Sequence, residues 1–139
     1  MTLYDVSTNS YRVPEIKEHQ LKSDFYDMHH PMVVNDRSYI NMSETILNNV
    51  EDTSKTYCFI SKNIEFPPFV SKGDKIFINP TANVIEGLFA ISSGTILSIV
   101  MAKKDEDGLA YFNNNDEKII VTNDKKIIPI LMTVSEGYR

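Results

Sequence analysis

Residues 88–102, which read LFAISSGTILSIVMA, decide the fold class of this chain. They contain two apolar runs, Leu88–Ser92 and Thr95–Ala102, on either side of Ser93-Gly94. A serine–glycine pair suits a two-residue turn, and short apolar runs that flank such a turn are typical of β-hairpins. The stretch therefore predicts two antiparallel strands rather than a helix.

The same pattern extends over most of the chain from residue 56 onward. Further strands are predicted at Thr56–Ser61, Lys75–Ile78, Leu109–Phe112, Ile119–Thr122 and Lys126–Val134. Short strands separated by turns every 8–12 residues or so indicate a mainly β domain. One short helix is predicted over 41–50, where Asn41 caps the first amides and Glu44 bonds back three residues later.

Residues 1–39 show little periodicity. Only Val13–Ile16 suggests an extended piece, because Pro14 holds the residue before it in the β region. We expect 1–39 to form an irregular N-terminal arm that packs on a β domain of residues 40–139.

Composition limits the function. The 139 residues make one domain, and the formal net charge of −5 disfavours direct nucleic-acid binding, which is mainly electrostatic. The only cysteine, Cys58, lies in an apolar run, so it predicts a buried core residue and rules out an internal disulfide. Neither a secretory signal nor a stretch of roughly 20 apolar residues occurs, so a cytoplasmic protein without membrane contact is expected.

The sequence predicts no cofactor and no metal, since it contains no phosphate-binding glycine loop, nucleophile elbow or dinucleotide fingerprint. A metal site built from His19, Asp24, Asp27 and His29-His30 is the alternative. A solvated polar segment is the preferred interpretation, because an irregular arm provides no scaffold to converge the ligands.

The C-terminal apolar run contains Pro129, which cannot donate to a strand ladder. We therefore predict an edge strand whose interaction residues are Ile128, Ile130, Met132 and Val134. An apolar edge strand needs a cover, and a second copy of the chain or the N-terminal arm would supply one.

Residues 66–80, FPPFVSKGDKIFINP, and 86–90, EGLFA, resemble the core of the LexA/UmuD family of self-cleaving serine peptidases and phage-repressor C-terminal domains. In that family a Gly-Asp pair opens an apolar strand that ends near a proline, and a second glycine follows about fourteen residues after the first. Gly73 and Gly87 keep this interval. The resemblance implies a bent, mostly antiparallel sheet assembly with one short helix.

The resemblance also implies where a serine nucleophile and a lysine base would lie. The serine position falls on Ile64 or Glu65, and the lysine position falls between Ser98 and Met101, a span that includes Ile99. The serine position therefore holds no serine, and the lysine position holds no lysine. The Ala-Gly or Cys-Gly cleavage pair is also missing, because the five glycines follow Lys, Glu, Ser, Asp and Glu. These five positions, Ile64, Glu65, Ser98, Ile99 and Met101, are expected to line a vestigial cleft without catalytic residues.

The family-level expectation is therefore a pseudo-peptidase. It would be a homodimeric protein–protein interaction module that regulates a transcriptional repressor in a phage or SOS-response switch. Two alternatives stay open: a UmuD-like accessory subunit of a DNA polymerase, and an active self-cleaving peptidase that uses Ser98 with a lysine from elsewhere in the chain.

Overall fold

The fold is mainly β, as predicted. The computed structural model describes residues 4–5, 10–18, 21, 35–40, 49–92, 96–122 and 125–135. These residues form ten strands and one short 3-10 turn, Thr53–Lys55. The strands are β1 (Tyr4–Asp5), β2 (Ser10–Glu15), β3 (Asn35–Ile40), β4 (Tyr57–Ile60), β5 (Lys75–Ile78), β6 (Gly87–Ser92), β7 (Leu97–Asp105), β8 (Gly108–Phe112), β9 (Lys118–Ile119) and β10 (Lys126–Val134).

The strands are joined side by side in the order β1-β2-β4-β5-β10-β6-β7-β8-β9, and β3 also pairs with β2. Neighbours are antiparallel except β2 and β4, which meet in parallel where Glu15 lies opposite Cys58. The register of β6 and β7 pairs Ser92 with Leu97, so β7 begins two residues later than predicted. The predicted turn Ser93-Gly94 lies outside the described residues, as do residues 41–48 of the predicted helix.

The prediction that β10 is an edge strand is wrong. Lys126–Pro129 pairs with β6, whereas the following residues from Ile130 to Val134 pair with β5. The strand therefore connects the two halves of the sheet, with a register shift between Ile130 and Met132. Pro129 stands where the strand changes partner, so its missing amide costs little in either ladder, and its carbonyl accepts a bond from the Asn79 amide at 3.4 Å.

The side chains predicted to form an interaction edge on β10 pack inside the chain instead. Ile128 is fully buried and Ile130 is 8% exposed. Met132 and Val134 are half-buried and pack against the buried residues Val13, Cys58 and Phe77. These side chains are therefore packed within one chain, and they do not form the exposed edge that was predicted to bind a second copy.

One main core joins both halves of the sheet. We call main core the following buried residues: Ile16, Leu21, Phe59, Phe66, Val70, Ile76, Ile78, Ala90, Leu97, Ile99, Ile128 and Ile130. Two smaller clusters lie on the opposite faces, one around Phe89 and Val100 and the other around Cys58 and Phe77. Strands with both faces buried read as continuous apolar runs, which explains why β5 and β7 do not alternate cleanly in sequence.

The N-terminal residues are more regular than predicted. The extended piece predicted at Val13–Ile16 is part of β2, which lies between β3 and β4 in the sheet. The Ile16 amide donates to the Cys58 carbonyl at 2.9 Å, and Val13 is fully buried. Cys58 is also fully buried, as expected, and its thiol faces the Pro14 carbonyl at 3.6 Å. β2 is therefore a structural strand of the sheet rather than an irregular covering.

In the part of the chain that the structure describes, no helix has the length and apolar character needed to cross a membrane.

Candidate functional site

The connection between β4 and β5 contains the predicted nucleophile positions, and the Gly-Asp pair closes it. The Gly73 amide donates to the Ser61 carbonyl at 2.6 Å, and the Ser61 amide donates to the Asp74 carbonyl at 2.9 Å. The φ of Gly73 is +95°, a conformation that a residue with a Cβ adopts only under strain. The Asp74 side chain accepts a bond from the Ser71 amide at 2.9 Å, which shapes the turn.

Ile64 and Glu65, the two positions aligned with the family's serine, face different surroundings. The Ile64 side chain packs against the main core, and its carbonyl accepts a hydrogen bond from the buried Ser61 hydroxyl. Glu65 is exposed to solvent. Since the Ser61 hydroxyl is used within the turn and is itself fully buried, it is inaccessible to a substrate.

The predicted base positions on β7 divide between two faces of the strand. Ile99 is 5% exposed within the main core, and Met101 packs against that core from the same face. Ser98 points the other way and is exposed. Its cross-strand neighbour is Ile91 on β6, and the next residue in that row is Ile127 on β10. The structure therefore brings Ile64, Ile99 and Met101 to one apolar cluster and separates Ser98 and Glu65 from it.

The N-terminal segment supplies side chains to the same cluster. Ile16 and Leu21 belong to the main core and are 3% and 1% exposed. Between them, the buried carboxylate of Glu18 accepts bonds from the backbone amides of Lys62 and Asn63 at 3.1 and 3.4 Å. It also accepts one from the Asn63 side-chain amide at 3.1 Å. Charge-assisted bonds of this kind are stronger than neutral ones, so Glu18 ties the N-terminal segment to the residues just before Ile64.

Sequence reasoning missed Glu18, and little in the sequence marks it. A glutamate between Lys17 and His19 reads as part of a solvated polar segment. Its partners are amides more than forty residues away in the chain, so no local pattern reveals the contact.

A small cavity opens beside this apolar cluster, between the β4–β5 connection and the β7–β8 hairpin. Its volume is about 180 Å³. We call it the Phe69 pocket; the residues that line it are Phe66, Phe69, Met101, Lys103, Phe112, Asn113, Asn114 and Asp116. Met101 is both one of the predicted cleft residues and part of the lining of this pocket.

Two aromatic residues and one ion pair define the mouth of the Phe69 pocket. The Phe69 side chain is 54% exposed and follows the exposed Pro67 and Pro68. The Lys103 ammonium lies 4.6 Å from the centre of the Phe112 ring and 2.7 Å from Asp116 Oδ1. Lys103 therefore interacts both with the face of the Phe112 ring and with the Asp116 carboxylate. The positive and negative charges at the mouth of the pocket balance each other.

A second ion pair ties β9 to the end of the β7–β8 hairpin. Lys118 Nζ lies 2.9 Å from Asp105 Oδ2 and 3.7 Å from Asp107 Oδ2. The bond from Lys118, then the bond from the Asp107 amide, lowers the pKa of Asp105. The same contact with Asp105 raises the pKa of Lys118, with a smaller contribution from Asp107. All three side chains are at the surface, where such pairs contribute little to stability.

Within the described residues, no group of three or more His, Cys, Asp or Glu side chains is arranged to hold a metal ion. The alternative metal ligands His19, Asp24, Asp27 and His29-His30 lie outside the described residues.

Comparison with known proteins adds no relative. The chain matches no protein-family model, and neither the curated proteins nor the solved structures include a significant match. Membership of the LexA/UmuD family therefore rests on residues 66–80 and 86–90 and remains a prediction.

Proposed function

We propose that this chain is a non-catalytic LexA/UmuD-like protein that acts through protein–protein contacts and regulates a transcriptional repressor in an SOS- or phage-type switch. The proposal rests on which side chains occupy the positions where the family has its serine and lysine. Ile64 is one of the two residues at the expected serine position, and Ile99 and Met101 lie in the span expected to hold the lysine; all three contribute to an apolar cluster, whereas Glu65 and Ser98 are exposed. A Ser–Lys peptidase needs a hydroxyl beside an amine that burial has made neutral, and aliphatic side chains provide neither group.

The surroundings of Ser98 argue against the displaced peptidase. An attacking serine needs a base within hydrogen-bond reach. The residues beside Ser98 in the rows of the sheet are Ile91 and Ile127, and Lys126 pairs in the neighbouring row with Ser92 on the other face. Lys126, on the opposite face of the sheet, cannot accept the Ser98 proton, and the Lys125 ammonium donates to the Ile120 carbonyl at 3.4 Å.

The same apolar cluster also contains side chains from the N-terminal segment. Ile16 and Leu21 of the N-terminal segment lie in it, and Glu18 fastens that segment to the adjoining turn. In this proposal the chain's own segment occupies the cleft permanently. Partner binding then uses the neighbouring surface, because the cleft is no longer accessible.

Incubation of the purified full-length chain at alkaline pH, where related proteins cleave themselves, tests the absence of catalysis. Intact-mass spectrometry is expected to show one unchanged species over days. A specific fragment that Ser98→Ala abolishes would replace this proposal with the displaced peptidase. The matched control is Ser71→Ala, which changes another exposed serine.

Cross-linking of the tagged chain in its own cells, followed by identification of the linked peptides, tests the partner class. A repressor or another DNA-bound regulator is the expected partner, whereas a polymerase subunit would favour the UmuD-like accessory role. Light scattering on the purified chain gives its mass in solution and tests the proposed homodimer. The contacts of such a dimer cannot include Ile128, which is buried within one chain.

A further inference from the structure

We propose that the turn formed by residues 61–64 is a carboxylate-binding site, and that the Glu18 side chain is the ligand that fills it in the native chain. When the Glu18 carboxylate is removed, the site takes a small carboxylate such as acetate in its place. The inference goes beyond the proposed function, because it concerns a ligand site that exists whether or not the chain regulates a repressor.

Three hydrogen-bond donors of the turn converge on the Glu18 carboxylate. The backbone amides of Lys62 and Asn63 donate to the same oxygen, Oε1, at 3.1 and 3.4 Å. The side-chain amide of Asn63 donates to the other oxygen, Oε2, at 3.1 Å. Successive backbone amides that point at one atom form a concave anion site, and the side-chain donor beside them suits a ligand with two acceptor oxygens. The donor set therefore matches a carboxylate.

The donors are held in place by contacts that do not involve the N-terminal segment. On one side of them, the Ser61 amide donates to the Asp74 carbonyl at 2.9 Å, and the Ser61 carbonyl accepts from the Gly73 amide at 2.6 Å. On the other side, the Ile64 carbonyl accepts from the Ser61 hydroxyl, and the Ile64 side chain packs against the main core. Because the backbone is fixed on both sides, we expect the donors to keep their direction when the Glu18 side chain is truncated, and such preorganised donors lose little freedom on binding.

The carboxylate comes from a distant part of the chain and is almost enclosed. Glu18 is 7% exposed and lies in the sequence between Ile16 and Leu21, which belong to the main core. Lys62 and Asn63, which carry the donors, are exposed, so truncation of Glu18 is expected to open a space that reaches solvent. Amides left without an acceptor are costly, and an added carboxylate that accepts from them recovers part of that cost.

Titration of acetate into the full-length Glu18→Ala chain, labelled with ¹⁵N, tests the site. Sodium chloride keeps the ionic strength constant throughout. The amide resonances of Lys62 and Asn63 should shift and saturate in the millimolar range, as expected for so small a ligand. The Ser71 amide is the internal control, because its own carboxylate acceptor, Asp74 Oδ2, is unchanged in the variant.

Two chains in which the site stays filled are the matched controls. Glu18 fills it in the parent chain, and in Glu18→Gln the glutamine carbonyl occupies the same space and accepts from the backbone amides. Neither chain should show the saturable shifts. Urea denaturation gives a second readout. At about ten times its dissociation constant, acetate should raise the ratio of folded to unfolded chains about tenfold in Glu18→Ala alone.

The inference is wrong if the Lys62 and Asn63 resonances of Glu18→Ala do not move, or if either control chain responds to acetate as Glu18→Ala does. The variant is expected to fold, because the loss of one buried contact is smaller than the stability of an ordinary domain. If its spectrum is that of an unfolded chain, acetate should restore the dispersion, and a spectrum that stays unfolded would equally contradict the site. These outcomes are separate from failure of the proposed function, which self-cleavage at alkaline pH would reveal whether or not acetate binds.

Discussion

At the scale of single residues, Gly73 and Asp74, which are central to the family resemblance, have a structural role in this chain. Gly73 takes a positive φ where the β4–β5 connection closes, and Asp74 shapes the turn that precedes it. Such residues are needed by any hairpin with this geometry, so they predict the local fold better than the activity. Ile64 and Ile99, by contrast, bear on the proposed function, because an aliphatic side chain cannot transfer a proton.

Glu18 provides the residue-scale prediction. Glu18→Ala removes a buried carboxylate and leaves the amides of Lys62 and Asn63 without their acceptor. We expect a loss of about 1–3 kcal/mol in the free energy of unfolding, the usual cost of removing one partner from buried, charge-assisted bonds. Urea denaturation measures it. Glu65→Ala, at an exposed glutamate three residues after Lys62, is the control and should change stability by less than about 0.5 kcal/mol. Equal effects of the two variants would contradict the structural assignment of Glu18.

At the scale of elements, most strands after residue 56 were predictable, whereas β1, β3 and the pairing between the strands were not, and β9, Lys118–Ile119, shares only Ile119 with the predicted Ile119–Thr122 region. The apolar runs at Lys75–Ile78 and Lys126–Val134 match β5 and β10 residue for residue, since burial of both faces leaves a strong apolar signal. The position of β10 in the sheet depends on pairing with β5 and β6, which are distant in sequence. Pro129 suggested an edge strand because proline has no amide to donate to a neighbouring strand. The sequence does not show that the strand changes partner at this residue, where a missing donor is tolerated.

The candidate site follows the same division. The family resemblance predicted Met101 as a cleft residue, whereas the pocket that it lines depends on Phe66 and Phe112 from two other elements. Nothing in a linear pattern distinguishes a phenylalanine that lines a pocket from one in the core. The exposed sequence Pro67-Pro68-Phe69 was the available signal, because prolines beside an aromatic residue indicate a surface turn.

A substitution in β10 tests its central position. Ile128→Ala removes a fully buried side chain of the main core, and we expect it to lower the free energy of unfolding by about 2–5 kcal/mol. Ile120→Ala, at a residue that is 79% exposed, is the matched control and should have an effect within about 0.5 kcal/mol. Denaturation curves for both variants measure the difference. A small effect of Ile128→Ala would restore the edge-strand interpretation.

The ion pair at the β7–β8 hairpin gives a pH-dependent prediction. The folded pKa of Asp105 is lowered first by the bond from Lys118, so the contact contributes above the ordinary pKa of aspartate and is lost as the pH falls through the folded value. Lys118→Gln should therefore raise the pKa of Asp105 toward its ordinary value. The rise is only partial, because the bond from the Asp107 amide at 2.8 Å remains.

A ¹³C NMR titration of the aspartate carboxyl groups measures this shift. Lys104→Gln is the control, since the Lys118 contact and the Asp107 amide bond, which lower the pKa of Asp105, remain in that variant. An Asp105 pKa that is the same in the Lys118→Gln variant and in the parent chain would show that the ion pair does not form in solution.

At the scale of the whole molecule, the N-terminal residues are part of the domain rather than an addition to it. β2 joins β3 to β4, and Val13, Ile16 and Leu21 are each at most 3% exposed. A detachable arm would leave a complete core behind when removed. Here removal of residues 1–21 would expose the main core and the cluster around Cys58 at once, so the boundary predicted at residue 39 does not mark the limit of the core.

This difference predicts the outcome of a truncation. A chain that begins at residue 22 lacks β2 and two main-core side chains, and we expect it to lose the dispersed amide spectrum of a folded β protein. A synthetic peptide of residues 1–21, added in excess, should restore the spectrum, because β2 pairs with β4 and Glu18 binds Lys62 and Asn63 without needing a covalent link. The same peptide carrying Leu21→Asp is the control and should fail, since Leu21 is 1% exposed. A truncated chain with an unchanged spectrum would mean that the N-terminal segment is a removable arm, as the sequence first suggested, and that the cleft it fills can be opened for a partner.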